Sequence, residues 1–503
     1  MVKNRAKLTI KFILFVLITC ICVGIVNELL KPKYYYDQEY PTTNTYMDFY
    51  KLEKNSVDVL FFGSSHGVNS FNPQVIYDNY GITSYNLSSA QQSIVVTYYW
   101  LREALKYQSP KVVILDTYTL HKYYDAYVYN DMNCSEGAVR SAMDSMRLSP
   151  LKWEAGKAIE EIDPTQSGLS FLLLNIRYHT RWTSLGEDDY TEEAMIEHGG
   201  VKGFAVLGET DPDLSYVPFK DSDIGTVDAE PMAETAEEYL DKIVDLCAKE
   251  NIQLILVNIP CAEPVARYKS TKEYADSRGL SYYDFNEEIL YNEIDYNASE
   301  NLLNHPNYLG AEKVSLYIAN LLATKYGVQS RKDQSYDLSR ELYEHKIENI
   351  NLKNITDIYQ YLDMINNDKY SVFIFAPTEF STYINDEIMN KLSRLGFAAD
   401  LRGIPDGTHY CAVKDLCGVT EELTEDDISF SGSIRGGLTT YSFNIDTSVM
   451  LTDYQTYSLT VSETQCIKKN TGLNIIIYDN DLKTIVDRIN FNTNDAELTA
   501  TRY

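Results

Sequence analysis

The sequence predicts an α/β protein with a parallel sheet covered on both faces by helices, followed by a second domain of mixed α+β type. Short apolar runs rich in Val, Ile and Leu alternate with segments of helical periodicity up to about residue 325. After about residue 428 the pattern changes to short alternating strands separated by turn residues. A chain of 503 residues that is 44% hydrophobic is also too long for a single core.

The N-terminus predicts a membrane anchor over residues 1–30. Four basic residues come first: Lys3, Arg5, Lys7 and Lys11. An uncharged apolar run follows from Phe12 to Val26 and extends to about Leu30, whereas a signal-peptide core has roughly 7–15 residues. No small-residue cleavage site follows, which favours an uncleaved anchor over a removed signal peptide. The positive-inside rule then places the N-terminus in the cytoplasm and residues 31–503 outside the cell membrane.

Residues 31–328 are expected to form the sheet domain. Its strands are predicted at Val57–Phe62, Lys111–Asp116, Leu254–Ile259 and Leu280–Phe285. Its helices are predicted at Gln91–Lys106, Ala233–Glu250, Thr271–Gly279 and Gly310–Lys325. The polar stretch 125–231 interrupts this alternation and has few strand signals, so it predicts an inserted cap, where substrate selectivity is expected.

A polar linker is expected over residues 329–340, and residues 341–503 are expected to form the α+β domain. Its helix is predicted at Ile384–Gly396. Its strands are predicted at Ser371–Ala376, His409–Lys414, Tyr441–Ile445, Tyr457–Val461, Leu473–Tyr478 and Thr484–Ile489. Short strands joined by turn residues predict much antiparallel sheet.

Charge and residue usage narrow the classes of partner. The formal net charge of −29 repels phosphate backbones and argues against nucleic-acid binding. The 42 tyrosines suit sugar stacking, although tyrosines also fill cores. No Cys-x-x-Cys occurs and the histidines show no paired spacing, so neither a metal nor a cofactor is expected. Cys411 and Cys417 are the nearest candidates for a disulfide, with free buried cysteines as the alternative.

Ser65 and His305 form the candidate catalytic pair. Ser65 follows the first predicted strand, so its side chain is expected at the carboxyl edge of the sheet, where open α/β sheets bind ligands. His305 stands in the segment His305-Pro306-Asn307, which is expected to open the last predicted helix. A neutral imidazole is the commonest base for a serine nucleophile, so the pair predicts a hydrolase or an acyltransferase.

Four segments resemble the sequence blocks of the SGNH/GDSL hydrolase superfamily. Gly63-Ser64-Ser65-His66 is similar to the first block, with Ser65 in the nucleophile position. Tyr85–Gln92 is similar to the second block, whose glycine lends an oxyanion N–H. Lys111–Thr119 aligns with the third block, and Asn304–Ala311 is similar to the fifth, with His305 in the position of the base.

The chain departs from this pattern at three places. Gln91 stands at the glycine position of the second block, and its backbone N–H is expected to serve instead. Tyr118 and Thr119 stand where the third block has asparagine. Leu302 replaces the aspartate that orients the histidine, which leaves a Ser-His dyad whose imidazole a backbone carbonyl, Asn304 or the insert must orient.

The resemblance implies an SGNH-like, flavodoxin-like three-layer sheet and a serine O-acyltransferase or esterase. It is closest to membrane-anchored members that acylate cell-envelope polysaccharides, including those of D-alanyl transfer to teichoic acids. It therefore implies a cell-surface glycan or teichoic-acid-like polymer as partner, and a membrane-bound O-acyltransferase as acyl donor. The oxyanion and pocket candidates are Ser64, His66, Ser89, Gln91, Tyr118 and Asn304. The alternative is a degenerate SGNH fold that binds glycans or assists assembly without catalysis.

The end of the chain resembles ILEI-like domains. Thr471–Asp479, followed by Val486-Asp487 and Phe491-Asn492-Thr493, is similar to their closing motif. The Leu395-Gly396 pair and the strand His409–Lys414 fit their middle. The resemblance implies carbohydrate binding by this domain, although Thr471 stands where the family usually has arginine. A packing module beside the enzyme is the alternative.

Overall fold

The computed structural model of the chain describes residues 2–32, 42–121, 136–186, 201–210, 216–434, 439–448, 457–461 and 464–503. The chain divides into two units, residues 1–344 and residues 345–503.

The first unit has helices on both faces of a sheet and a long apolar helix at its N-terminus. They are α1 (Val2–Leu30), α2 (Thr42–Phe49), α3 (Ser65–Ser70), α4 (Pro73–Tyr80), α5 (Ile94–Ala104), α6 (Glu136–Met143), α7 (Pro150–Ile162), α8 (Gly168–Leu172), α9 (Asn175–Tyr178), α10 (Asp221–Ile224), α11 (Glu234–Lys249), α12 (Val265–Arg278), α13 (Glu288–Glu293) and α14 (Tyr308–Thr324). Within α1, the 24 residues Lys7–Leu30 are long and apolar enough to cross a membrane. This length agrees with the expected single-pass anchor.

Five parallel strands form the sheet of the first unit, in the order β2-β1-β3-β4-β5. They are β1 (Val59–Phe62), β2 (Ser84–Asn86), β3 (Val112–Asp116), β4 (Gln253–Asn258) and β5 (Ser281–Asp284). The predicted parallel sheet is confirmed. Leu60 and Phe62 enter a core shared with α5 and α11, whereas Val59 and Phe61 enter a second core shared with α4 and α14. Successive side chains of a strand point to opposite faces, so both faces of β1 are buried.

Helices α6 and α7 of the insert 125–231 extend the first of these cores. Apolar residues of α6 and α7 pack there with α5, and the indole N–H of Trp100 donates to the carbonyl of Ala142 at 3.2 Å. Arg140 is buried with its guanidinium 3.8 Å from the centre of the Phe171 ring. Residues 125–135, 187–200 and 211–215 of the insert lie outside the described residues.

Residues 329–340, expected to be a linker, are fastened to the first unit. The hydroxyl of Tyr336 donates to the carbonyl of Ser84 and accepts from its N–H, both at 2.7 Å. The Tyr336 ring stacks on Tyr77 with 3.8 Å between ring centres. A helix, α15 (Ser335–Asn354), begins inside this segment and contains the division between the two units. Buried Tyr336 therefore anchors this segment to the first unit, although the segment is mostly polar.

In its described residues, the second unit has two antiparallel sheets, the C-terminal part of α15 and two further helices, α16 (Ile358–Met364) and α17 (Asp386–Leu395). The six-stranded sheet has the order β10-β9-β8-β15-β16-β17 and the four-stranded sheet the order β11-β12-β13-β14. The strands are β8 (Tyr370–Ala376), β9 (His409–Asp415), β10 (Gly418–Thr424), β11 (Ile428–Ile434), β12 (Thr439–Ile445), β13 (Tyr457–Val461), β14 (Thr464–Gln465), β15 (Leu473–Asp479), β16 (Thr484–Phe491) and β17 (Ala500–Arg502). Strands β6 (Asn301–Leu302) and β7 (His305–Pro306) form a short hairpin in the first unit. The antiparallel sheet predicted after the linker is confirmed.

Alternate residues of β8 again enter opposite cores. Val372 and Ile374 pack with α16 and α17, whereas Phe373 and Phe375 pack against the four-stranded sheet. All members of both clusters lie between residues 352 and 500. The second unit therefore has cores of its own, as independent domains do.

The candidate disulfide between Cys411 and Cys417 is not formed, and both cysteines are free. Cys411 lies within β9 opposite Glu422, and Cys417 lies in the turn after that strand. Four extended residues separate Cys411 from the end of β9, which is about 13 Å. Disulfides need Cα atoms within about 7 Å. Cys247 is buried on α11, in line with the alternative of free buried cysteines.

Candidate active site

The candidate site lies at the carboxyl ends of β1 and β3. The strand order 2-1-3-4-5 reverses direction between these two strands, and open α/β sheets bind ligands outside such a switch point. Ser65 comes three residues after the end of β1, and Asp116 is the last residue of β3. The connection that carries His305 adds a second wall to the site.

Ser65 is the first residue of α3, directly after a tight corner. Ser64 caps the helix, because its hydroxyl accepts from the N–H of His66 at 3.2 Å. The same hydroxyl donates to Asp116 Oδ2 at 2.8 Å, and the Ser64 N–H donates to that oxygen at 3.1 Å. At Gly63, a Cβ atom would lie 2.4 Å from the Cβ of Asp116. Glycine is therefore needed for Asp116 to hold the corner, and Ser65 is left half-buried.

His305 lies in a short hairpin before α14, not at the start of that helix. The hairpin pairs β6 (Asn301–Leu302) with β7 (His305–Pro306), and the helix begins at Tyr308 with Asn307 as its cap. Leu303 and Asn304 form the turn with φ of +47° and +68°, as a two-residue hairpin loop requires.

The hairpin places the imidazole against Ser65. Ser65 Oγ lies 2.8 Å from His305 Nε2, and His305 Nδ1 lies 2.9 Å from the carbonyl oxygen of Leu303. A carbonyl only accepts hydrogen bonds, so Nδ1 carries the proton and Nε2 accepts from the serine hydroxyl. This is the tautomer that a general base needs. The carbonyl of Leu303 takes the place of the carboxylate that the sequence lacks at Leu302.

Asn304 fixes the hairpin to the loop after β4. Its side-chain oxygen accepts from the N–H of Ala262 at 2.7 Å. Asn304 itself does not contact the imidazole through a described hydrogen bond, whereas its neighbour Leu303 does. Asn304 is therefore a positioning residue, and Leu303, which no sequence pattern singles out, contacts the imidazole itself.

Gln91 keeps the backbone shape of the glycine that it replaces. Its φ is +52°, in the left-handed region that glycine adopts most easily. Among the described residues, the main-chain N–H groups of Ser65 and Gln91 have no protein acceptor. They are the candidate donors to an oxyanion.

Ser64 and Ser89 have structural roles, because their N–H and hydroxyl groups donate to other protein groups. Both donors of Ser64 serve Asp116, as described above. The N–H of Ser89 donates to the carbonyl of Gly63 at 3.2 Å, and its hydroxyl donates to Gln92 Oε1 at 2.8 Å. Both side chains are buried. These two candidates shape the site from beneath.

His66 and Tyr118 form one wall of the site. Their rings stack with 3.6 Å between centres and an angle of 17° between planes. The His66 ring centre is 4.6 Å from that of His305. His66 is buried and Tyr118 is half-buried, so the tyrosine shields one side of the histidine pair.

Asp116 has the most perturbed carboxyl of this corner. Burial raises the pKa of Asp116 to about 6, against hydrogen bonds from the N–H of Tyr118 and from Ser64 that favour the carboxylate. Its contacts are to the backbone and side chain of the corner and to Tyr118. Asp116 therefore holds Ser65 in place from behind.

A separate cluster in the second unit joins His345, Asp479 and Asp481. His345 Nε2 lies 2.9 Å from Asp479 Oδ2, which also accepts from Asn349 at 2.7 Å. The other oxygen of Asp479 accepts two backbone N–H groups at 2.9 Å. Asn349 and two backbone N–H groups thus hold the buried carboxylate of Asp479 in place, which is a structural role.

No family model and no curated protein match the chain. Among the solved structures that match is a proposed acylhydrolase from Bacteroides fragilis. It is 12% identical, and the match covers 56% of this chain and 94% of that chain with a TM-score of 0.25. A likeness of that size carries no argument, so the function is inferred from the geometry of the site.

Proposed function

We propose that this chain is a membrane-tethered serine O-acyltransferase or esterase that acts on a cell-surface polysaccharide. The observation that supports it most is the 2.8 Å contact between Ser65 Oγ and His305 Nε2, with the far ring nitrogen bound to the Leu303 carbonyl. Such a pair can take the serine proton and return it to a leaving group. The SGNH-like sequence blocks support the same class of reaction.

In the proposed acylation step, His305 Nε2 takes the Ser65 proton while the serine oxygen bonds to the ester carbonyl carbon. The carbonyl oxygen becomes negative and accepts from the N–H groups of Ser65 and Gln91. The ester C–O bond then breaks, and the imidazolium gives its proton to the departing alcohol. The products are the free alcohol and an ester on Ser65.

The second step decides between the two activities. A water or a sugar hydroxyl gives its proton to His305 as its oxygen bonds to the acyl carbon. The bond to Ser65 breaks and the serine oxygen regains the proton. Water makes the chain an esterase, and a sugar hydroxyl makes it a transferase. The protein groups do the same work in both cases.

Four features support the location and the substrate class. The apolar span Lys7–Leu30 supports a membrane anchor, and the basic residues before Phe12 support a cytoplasmic N-terminus. Resemblance to envelope acylation proteins supports a glycan or teichoic-acid-like substrate and a membrane-bound O-acyltransferase as donor. The ILEI-like ending supports glycan binding by the second unit.

Labelling with a fluorophosphonate tests the reaction class on the full-length chain in detergent. Ser65 is expected to be labelled, and Ser65→Ala to abolish labelling. His305→Ala should slow labelling at least about 100-fold, since a general base contributes roughly 10²–10⁴-fold. The double variant should not be labelled either, because it also lacks the Ser65 hydroxyl.

Ser222→Ala is the matched control, since Ser222 is exposed and lies in α10. Its labelling should equal that of the natural chain. A folded natural chain that does not label would contradict the enzyme and favour the glycan-binding or assembly protein.

A further inference from the structure

A cavity of about 580 Å³ lies beside the C-terminal end of α1. Its walls come from the end of α1, from α2 and the residues after it, and from the turn before α7 together with α8. Its volume falls within the roughly 300–1,000 Å³ that is usual for ligand pockets. The cavity is lined by different residues from the Ser65 site, so it needs an explanation of its own.

The lining is basic in a strongly acidic chain. Four cations line the cavity: Lys31, Lys51, Arg147 and Lys152. Two carboxylates do so, and each already has a cationic neighbour. Glu28 pairs with Lys31 at 2.9 Å, and Asp144 pairs with Arg140 at 3.3 Å. The net charge of the whole chain is −29, so this local excess of positive charge stands out.

Lys152 and Arg147 carry the excess. Lys152 is only 4% exposed, and its ammonium donates to the carbonyls of Asp144 at 3.1 Å and Met146 at 2.8 Å. Burial lowers the pKa of Lys152 to about 8, so the cation is held with incomplete compensation. Arg147 is exposed, with its guanidinium 4.2 Å from the centre of the Tyr50 ring. Among the described residues, no carboxylate lies within ion-pair distance of either cation.

The walls are joined to the end of the apolar helix. Asn27 donates to the carbonyl of Leu172 at 3.3 Å and accepts from the N–H of Asn175 at 3.2 Å. Arg181 donates to the carbonyl of Leu30 at 2.9 Å. The cavity therefore lies at the level where a spanning α1 leaves the bilayer.

Large apolar side chains are exposed in the residues that surround the cavity or lie near the end of α1. Leu148 is 76% exposed, Trp182 is 71% exposed and Trp153 is 41% exposed. Tryptophan is favoured at membrane interfaces because one ring carries both an apolar body and a polar N–H. Exposed tryptophans near the end of α1 indicate that this part of the chain meets the lipid surface.

We propose that this cavity binds the phosphate of an anionic phospholipid head group from the leaflet in which α1 ends. Arg147 and Lys152 donate to the phosphate oxygens, and the acyl chains remain in the bilayer beside α1. A phosphodiester carries one negative charge and accepts hydrogen bonds through its oxygens, so it suits the Arg147 and Lys152 side chains, which have no carboxylate within ion-pair distance among the described residues. The lipid is favoured over a soluble phosphate because residues of α1 itself form part of the wall. The bound lipid fixes the height of the first unit above the membrane.

The test is titration calorimetry of the full-length chain in a non-ionic detergent. The probes are short-chain phosphatidylglycerol, short-chain phosphatidylcholine and inorganic phosphate. Phosphatidylglycerol should bind one to one, at least about tenfold more tightly than either other probe, because only it joins a net negative phosphate to acyl chains. Arg147→Met and Lys152→Met should each weaken that binding about tenfold or more, the effect of a lost charged donor.

Lys249→Met is the matched control, because Lys249 is exposed at the end of α11, and it should leave binding unchanged. Ser65→Ala should bind phosphatidylglycerol normally, so failure here and failure of the proposed enzyme are separate results. Equal affinity for inorganic phosphate would overturn the lipid assignment, and equal affinity for phosphatidylcholine would overturn recognition of negative charge. If Lys152→Met does not fold, Arg147→Met decides alone: unchanged binding contradicts the proposal.

Discussion

At the scale of single residues, a peptide carbonyl orients the imidazole of His305. The Leu303 carbonyl fixes the tautomer as well as a carboxylate would, because it accepts the Nδ1 proton at 2.9 Å. It is a neutral dipole, so it stabilises the imidazolium of the transition state less than an ionised aspartate does. The placement of the carbonyl therefore matters more than its charge, and Asn304 controls that placement.

Asn304→Gly should lower kcat about tenfold with little change in KM. Glycine keeps the φ of +68° at low cost, so the hairpin turn survives while the bond to Ala262 is lost. A misplaced base slows the chemistry and leaves substrate binding intact. Ester kinetics and a thermal melt are the measurements.

Asn251→Gly is the control for that variant, since Asn251 is exposed after α11 with a φ of +57°. Both kcat and Tm should match those of the natural chain. Full kcat in Asn304→Gly would show that Leu303 holds the ring without the Asn304 anchor.

The raised pKa of Asp116 predicts that the free energy of unfolding depends on pH. Its pKa rises from 3.8 in the unfolded chain to about 6 in the fold, through burial. A raised carboxyl pKa favours folding of the protonated form. This contribution is fully present below about pH 4 and is lost as pH rises through about 6, and it amounts to about 3 kcal/mol.

Asp116→Asn removes this titration. Unfolding free energies measured from pH 4 to pH 6.5 should fall with rising pH less steeply in Asp116→Asn than in the natural chain. The variant is also expected to be less stable at each pH, because one oxygen that accepts from the corner becomes a donor. Parallel pH profiles for the two proteins would contradict the raised pKa.

Some residues of the candidate site could be predicted from the sequence and others could not. The motif around Ser65 and the segment at His305 lead to two side chains that lie 2.8 Å apart. Leu303 could not be found in this way, because it acts through a carbonyl that every residue has. The positive φ of Gln91 could not be predicted either, because in a sequence glycine is the residue that indicates the left-handed region.

At the scale of elements, long apolar runs could be predicted and short polar ones could not. Strands β3 and β4 lie within one residue of the predicted bounds, because their Val, Ile and Leu runs are buried on both faces. Strand β2, Ser84-Tyr85-Asn86, was missed because it has three residues and little apolar surface. Strand β10 was missed because its side chains are mostly exposed.

Gly63→Ala tests the corner between β1 and α3. The added methyl would lie 2.4 Å from the Asp116 Cβ, so the corner must open. We expect a loss of about 1–3 kcal/mol in unfolding free energy and a slower fluorophosphonate reaction at Ser65. The measurements are denaturant unfolding and the labelling rate.

Gly225→Ala is the matched change, because the nearest atom to its added methyl is 4.0 Å away and its φ is −72°. Its stability should change by less than about 1 kcal/mol, and its labelling rate should not change. Equal behaviour of the two variants would mean that Asp116 does not hold the corner.

At the scale of the whole molecule, the second unit is expected to fold by itself. Its two cores are built from its own residues, and β8 and β15 contribute to both. Residues 335–503 keep α15 whole and should show one cooperative thermal transition when expressed alone. A fragment that melts without cooperativity would contradict the independence of these cores.

The second unit is also expected to affect the kinetics with a polymer substrate but not the kinetics with small esters. A small sugar site gives dissociation constants from about millimolar to micromolar, or about −4 to −8 kcal/mol. Such weak binding still raises the concentration of a tethered glycan at the Ser65 site. Removing residues 345–503 should therefore raise the apparent KM for polymer about tenfold or more and leave kcat/KM for a small model ester unchanged. If polymer and small-ester kinetics fall together, the second unit supports the fold of the first and does not present glycan to it.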